Sequence, residues 1–426
     1  MERNDPRYQA YVEILKEELI PAMGCTEPIA LAYAAAKARE VLGVLPDSVQ
    51  LQVSGSIIKN VKSVIVPNTG HLKGMEAAVA AGIIAGSAEK ELEVISEVSE
   101  EKKSAIRDYL QTVPITIEHT EQGHVFDIVV TERCGQDYAR VRIADYHTNI
   151  CCIEKNGTVL YEVPLLDETV QADARADRSL LNMQDIWDFA ETADLRDVAD
   201  LLERQIRYNN AIAEEGLLGD YGANIGRVLL TTYGNDVSNR AKAKAAAGSD
   251  ARMNGCELPV IINSGSGNQG ITCSVPLIEY AKELHSGKEK LYRALIISNL
   301  VAIHEKTGIG TLSAYCGAVS AGAGAGAGIV YLCGDGYQAA IHTVVNALAI
   351  VSGIVCDGAK ASCAAKIASS VDAALLGYNM YKCNQEFKGG DGIVMKDIET
   401  TIKGIGRLGK DGMRQTNEEI IRLMMS

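Results

Sequence analysis

Aromatic residues are scarce in this chain of 426 residues, which has three Phe and one Trp against 40 Gly. A core short of bulky rings and rich in Gly and Ala closes by bringing backbones together, which points to tightly packed helices. Long basic runs are also missing, and the formal net charge is −14. That balance argues against nucleic acid and against an anionic membrane surface as partners. The opening stretch MERNDPRYQAYVEILKEEL has no apolar signal-peptide core. With eleven cysteines and no export signal, the expected setting is reducing and cytoplasmic, where thiols serve metals or catalysis more often than disulfides. No repeat of fixed period is found. Residues 316–333 carry no charge, but they are built from weakly hydrophobic Gly, Ala and Ser, and Asp335 separates them from 339–356. A buried core hairpin is therefore expected there, not a pair of membrane spans.

Hydrophobic content is 47% and charged content 23%, both ordinary for a globular protein. The length exceeds what one core usually serves, so two domains are expected. The predicted class is α+β, a mainly helical catalytic domain with a smaller α/β domain inserted. Residues 1–43 read as two helices packing on the catalytic domain, 44–165 as the α/β insertion, 166–182 as a polar linker and 183–426 as the helical domain. Within these spans, Tyr8, Tyr11, Ile14, Leu15 and Leu19 mark a helix over 6–20 that Pro21 ends. A second helix runs from Ile29 to Leu42, with Thr26 as its cap and Pro28 in its first turn. Residues 48–66 read as two strands broken near Gly55-Ser56, and 70–88 as a Gly/Ala-rich helix. From 92 to 163 the alternation predicts strands, interrupted by a helix near 99–111. Beyond 183 nearly everything reads as helix, and 386–426 as a small mixed element with a terminal helix.

Three cysteines stand beside turn-forming residues: Cys316 before Gly317, Cys356 before Asp357-Gly358, and Cys363 after Ser362. Thiols at glycine-rich turns can reach a common point, and the Gly/Ala alternation from Gly322 to Gly328 reads as the wall of a buried metal or iron–sulfur site. Three thiolates on a cluster leave one iron open to a substrate. Against this stands the reading of buried small hydrophobes, since free Cys is among the most buried residue types and no compact ligand motif is present. The remaining cysteines read as core or incidental. Cys25, in Met23-Gly24-Cys25-Thr26-Glu27-Pro28, lies at a helix start where thiolate is favoured, or is simply a buried thiol in a turn. Ser264-Gly265-Ser266-Gly267-Asn268-Gln269-Gly270 exposes backbone N–H groups able to cradle a carboxylate or phosphate. It is no Walker loop, since no Gly-Lys-Ser/Thr follows; a pyridoxal-phosphate site is one use for such a loop, with Lys360 the nearest Schiff-base candidate. His304 precedes Cys316 closely enough to join a substrate-binding set with Ser264–Gln269. His304, His71 and Lys59, taken singly, each read as structural or surface residues.

Together, the Met23–Pro28 motif, the Ser264–Gly270 loop, Leu312-Ser-Ala-Tyr-Cys-Gly317 and Cys356-Asp-Gly-Ala-Lys-Ala-Ser-Cys363 resemble the L-cysteine desulfidases, which group with the alpha chains of iron–sulfur L-serine dehydratases. The resemblance spans nearly the whole chain. It implies a [4Fe–4S] cluster held by Cys316, Cys356 and Cys363, with Cys25 as the base. It implies a lyase that eliminates sulfide from L-cysteine, or water from L-serine, to give pyruvate and ammonia. The last residues, Leu-Met-Met-Ser, offer no thiol as a fourth ligand. The expected partner is a small amino-acid substrate; a homodimer is compatible with the chain. A pyridoxal-phosphate lyase and a non-catalytic amino-acid-binding protein are the readings from other classes.

Overall fold

The computed structural model describes residues 1–120, 124–165, 175–310 and 312–425. Of the predicted linker, 166–174 lies outside the described residues. The chain opens with α1 (Pro6–Glu18), capped by the Asp5 carboxylate, which accepts from Arg7 N. β1 (Pro21–Met23) and α2 (Thr26–Leu42) follow, and Gly43 closes α2 in the left-handed region. Next come β2 (Ser48–Ser54), α3 (Gly55–Val61), α4 (Gly74–Ala85) and α5 (Glu100–Thr112). The strands are then β3 (Ile115–Thr120), β4 (Asp127–Cys134), β5 (Asp137–Ala144), β6 (Ile150–Lys155) and β7 (Thr158–Glu162). They form one sheet in the order β3-β2-β4-β5-β6-β7, parallel between β2 and β3 and antiparallel elsewhere.

The covering of this sheet departs from the predicted grouping. Tyr8 and Tyr11 of α1 meet Phe189 of the helical part edge-on, at centroid distances of 5.1 and 5.4 Å. By contrast, α2 lies across β4 and β5 and against α4. Its alanines, almost all buried, let it sit close to both layers. A second difference concerns 48–66, where one strand is followed by a helix. Every residue of α3 is buried, so a helix that satisfies its own backbone replaces a strand that would have needed a partner.

The helical part comprises α6 (Met183–Thr192), α7 (Ala199–Leu218), α8 (Ile225–Tyr233), α9 (Val237–Met253), the short β8 (Pro259–Ile261), α10 (Gly267–Glu283), α11 (Lys288–Ile309), α12 (Gly317–Cys333), α13 (Tyr337–Val351), α14 (Cys363–Lys382), α15 (Ile398–Arg407) and α16 (Arg414–Met425). A π-helical turn, Leu408–Gly412, joins the last two, and no strand is found among the described residues of 386–426. The class is therefore α+β and mainly helical. α12 is the centre, packed by α10, α11, α13 and α14. A Cβ at Gly324 would stand 2.4 Å from the Ser298 carbonyl oxygen of α11. The Gly/Ala alternation is thus the means of close helix packing, and the thiol-lined cavity is reached by Gly317 and Ala318, at the start of α12. α12 and α13 form a buried helical hairpin, and no helix among the described residues is long and apolar enough to cross a membrane.

Candidate active site

Cys316 and Cys356 are joined through the backbone. The Cys316 N–H donates to the Ile354 carbonyl at 3.1 Å, and the Cys356 N–H donates to the Ala314 carbonyl at 2.6 Å. An antiparallel bridge between Tyr315 and Val355 lies between these bonds. The forty residues that separate the two thiols (356 − 316) are consumed by the α12–α13 hairpin, whose outer ends meet here. Cys363 is the first residue of α14. Its loop is tied down by Asp357, which pairs with both Lys360 and Lys366. All three thiols line one cavity of about 110 Å3, a space on the scale of a small polar solute or an inorganic group.

Cys25 reaches the same cavity by a different route. β1 pairs antiparallel with β8, with Pro21 opposite Ile261. This two-stranded ribbon sets the turn after β1 beside the Ser264–Gly270 loop after β8, and Thr26 Oγ donates to the Gly265 carbonyl at 2.9 Å. Cys25, Ser266, Asn268 and Gln269 all line the cavity. Ser264 and Gly265 stand back from it. Ser264 is bonded to Asn263, and Gly265 faces the His147 ring.

Burial sets the ionisation of these thiols. It pushes Cys25 up to about 12, with Arg252 opposing. Cys25 is the N-cap of α2, but its side chain makes no cap hydrogen bond and approaches Met253 Sδ at 3.7 Å. Burial thus works against the thiolate that a helix start favours. Burial likewise pushes Cys316 up to about 12 and raises Cys363. Glu27 behaves differently. Burial would raise it, yet the His147 ring, 4.0 Å from its Oε1, and the Arg252 guanidinium hold it below the ordinary glutamate value.

Three buried cations surround these groups. Lys59 donates to Asn417 Oδ1 at 2.7 Å and to the Cys356 carbonyl at 3.4 Å. Burial lowers its ammonium, and Cys356 is the strongest opposing influence. Lys306, pushed down to about 8 by burial and opposed by Cys356 and Cys316, bonds the Gly310 carbonyl. Arg252 is 4% exposed and donates to Asn268 Oδ1 at 3.2 Å. Among the described residues none of the three is within ion-pair distance of a carboxylate.

Some sequence candidates fall elsewhere. His304 Nε2 lies 2.8 Å from Glu399 Oε2, outside the cavity wall, so its nearness to Cys316 in sequence does not carry it into the site. His304 lies on α11 and faces Glu399 of α15 instead of the cavity. His71 abuts Gly255. Lys360, the Schiff-base candidate, is held by Asp357 and does not line the cavity. Conversely, Arg252, Lys306 and Asn60 line it without having been singled out. No local signal separated Arg252 from the other charged residues of α9, Arg240, Lys242, Lys244 and Asp250.

Among the described residues no three His, Cys, Asp or Glu side chains are arranged to share a single metal ion. Ligands of a multi-iron cluster each take a different iron and stand farther apart than ligands of one ion. The donor set fits such a cluster: three thiols face one cavity, with two buried ammonium groups beside them to offset thiolate charge. A larger cleft of about 1030 Å3, between the sheet layer and the helices, shares Leu312 and Ser313 with this cavity.

Comparison with known proteins gives a family and several relatives. A family model described as serine dehydratase alpha chain matches residues 89–422. A UPF0597 protein of Desulfitobacterium hafniense is 61% identical over 100% of this chain and 99% of its own length. Others come from Lachnoclostridium phytofermentans, at 52% identity over 98% of this chain and 100% of that protein, and Treponema denticola, at 47% over 100% of both.

Proposed function

The chain belongs to the family of serine dehydratase alpha chains, and from that premise we propose that it is an iron–sulfur lyase that removes the β-substituent of a small amino acid, L-cysteine, as a desulfidase. The observation that carries the reading is the convergence of Cys316, Cys356 and Cys363 on one cavity, beside two buried ammonium groups that have no carboxylate within ion-pair distance among the described residues. These three cysteines would hold a [4Fe–4S] cluster, which supplies an open iron as Lewis acid for the β-leaving group. Lys59 and Lys306 offset the charge of the three thiolates. Cys25 takes the Cα proton. Burial raises its thiol, so Cys25 must lose a proton before it acts as the base. The Cα–H electron pair forms the new double bond as the β-bond breaks, giving aminoacrylate. Water then converts this to pyruvate and ammonia, with sulfide as the third product.

The family match favours a second reading in the same site, elimination of water from L-serine. Both substrates suit a cavity of about 110 Å3. Protein purified and reconstituted without oxygen should contain stoichiometric iron and sulfide and release pyruvate from L-cysteine, with serine measured alongside. An iron-loaded protein that releases pyruvate from neither substrate removes the lyase reading; release from serine alone transfers it to the dehydratase.

A further inference from the structure

We propose that Arg252 and the N-terminus of α10 form the receptor for the α-carboxylate of the substrate, with Gln269 receiving its α-ammonium group. The inference rests on the amino-acid reading above and assigns roles to residues outside the thiol set. Arg252 enters the cavity wall from the last turn of α9 and is 4% exposed. A guanidinium so far from water ordinarily sits against a carboxylate. Here Nη1 donates to Asn268 Oδ1 at 3.2 Å, and among the described residues Nε has no hydrogen-bond partner.

The guanidinium also lies against the start of a helix. A Cβ on Gly267, the first residue of α10, would stand 2.3 Å from Arg252 Nε and 2.8 Å from Cζ. Glycine is thus required for the two to meet. α10 has seventeen residues, no acidic residue in its first turn and no side-chain cap from Ser266. Two positive features, a buried guanidinium and a helix N-terminus with no acidic residue in its first turn, face the same space. Among the described residues no carboxylate is within ion-pair distance of Arg252, and Glu27 on the same wall acts on it only from farther off. A planar carboxylate matches both, by a forked bond to the guanidinium and by bonds from the first-turn N–H groups. Gln269, 5% exposed, turns toward the first residues of α12 and leaves Oε1 without a partner. An unfilled acceptor next to unfilled donors fits a zwitterion, which brings a cation and an anion together.

The test uses L-alanine, which has the carboxylate and ammonium but no leaving group, and ethylamine, which lacks the carboxylate. Binding to the iron-loaded and the metal-free protein is measured by calorimetry. Wild-type protein should bind L-alanine and discriminate against ethylamine. Arg252→Gln should weaken L-alanine roughly 100-fold and abolish the discrimination. Arg252→Lys, which keeps the charge but not the fork, should lose about 10-fold. In turnover, KM for L-cysteine should rise by more than kcat falls in both variants. Undetectable L-alanine binding to the wild type, or unchanged affinity in both folded variants, overturns the assignment. If neither cysteine nor serine is turned over but L-alanine binding still depends on Arg252, the receptor stands and the lyase reading falls. If turnover persists with KM unchanged in both variants, the lyase reading stands and the receptor falls.

Discussion

Helices α9 and α10 run together for their whole length and carry buried cations at both ends. Toward the start of α9, Lys244 donates to Glu279 of α10 at 2.8 Å, and Arg240 flanks the same carboxylate at 3.5 Å. Eight residues after Lys244 (252 − 244), Arg252 is buried to a similar degree but has no carboxylate partner. The first end is closed, with charge matched by the fold itself. The second is open: among the described residues no carboxylate is within ion-pair distance of Arg252, Lys306 or Lys59, and the Glu27 carboxylate on the cavity wall answers only part of their positive charge. Burying unmatched charge costs stability, so the open end is intelligible only where something else supplies the negative charge: thiolates, a carboxylate or both.

The comparison can be broken most severely at the thiols. Cys356→Ala should lose both iron and elimination activity, measured by metal analysis and pyruvate release; Cys316→Ala and Cys363→Ala should match it. A variant that keeps full iron removes that residue from the ligand set. Cys25→Ala should keep its iron yet lose on the order of 10²- to 10⁴-fold in turnover, the range for a proton-transfer residue. Iron loss in that variant would make Cys25 a ligand instead.

The protonation of the open end makes a pH prediction. Cys316 and Cys363 are raised by burial, so in neutral solution they are protonated and must release protons to bind iron. Iron affinity of the metal-free protein should rise with pH, about tenfold per unit for each proton released, between roughly pH 6 and 9. A flat profile would mean that the thiols are already ionised.

At the closed end the effect is smaller and of another kind. Glu279→Gln strands the Lys244 ammonium and should cost about 3 kcal/mol in thermal or denaturant unfolding, with no change in iron content. Burial raises the Glu279 carboxyl, but Lys244 and Lys282 bring it below its ordinary value. Its contribution is therefore present above the unfolded-state value and lost as pH falls through the folded one. The gap between wild type and variant should be constant above about pH 5 and close in acid. Arg252→Gln should show the smallest change in unfolding, within about 1 kcal/mol and toward greater stability, because it removes an unmatched charge. A large destabilisation there would mean that Arg252 is part of the scaffold.

Much of this was readable in advance. The alternation in β3 to β6 and the mainly helical character beyond 183 were legible, because each such segment buries one face and its sequence repeats with that face; α12, buried on all sides, carries no such period. The failures were of two sorts. Gly55-Ser56 reads locally as a strand break, but α3 forms there because α16 covers it from the far end of the chain. The Gly/Ala run of α12 looked like a site wall because small residues suit both a ligand and a neighbouring helix, and only the packing of Gly324 on Ser298 distinguishes them.

By itself the sequence determined that three thiols stand at turns, that Cys25 starts a helix and that a glycine loop precedes another. These are local properties, written in neighbours along the chain. The tertiary structure decided that the β1–β8 ribbon carries Cys25 to the thiols, that His304 faces Glu399, and that Lys59, Arg252 and Lys306 are buried without carboxylate partners. It also buried Cys25, which raises its thiol against the pull of the helix start. Desolvation depends on the whole shell of atoms around a group, and that shell is assembled from segments hundreds of residues apart.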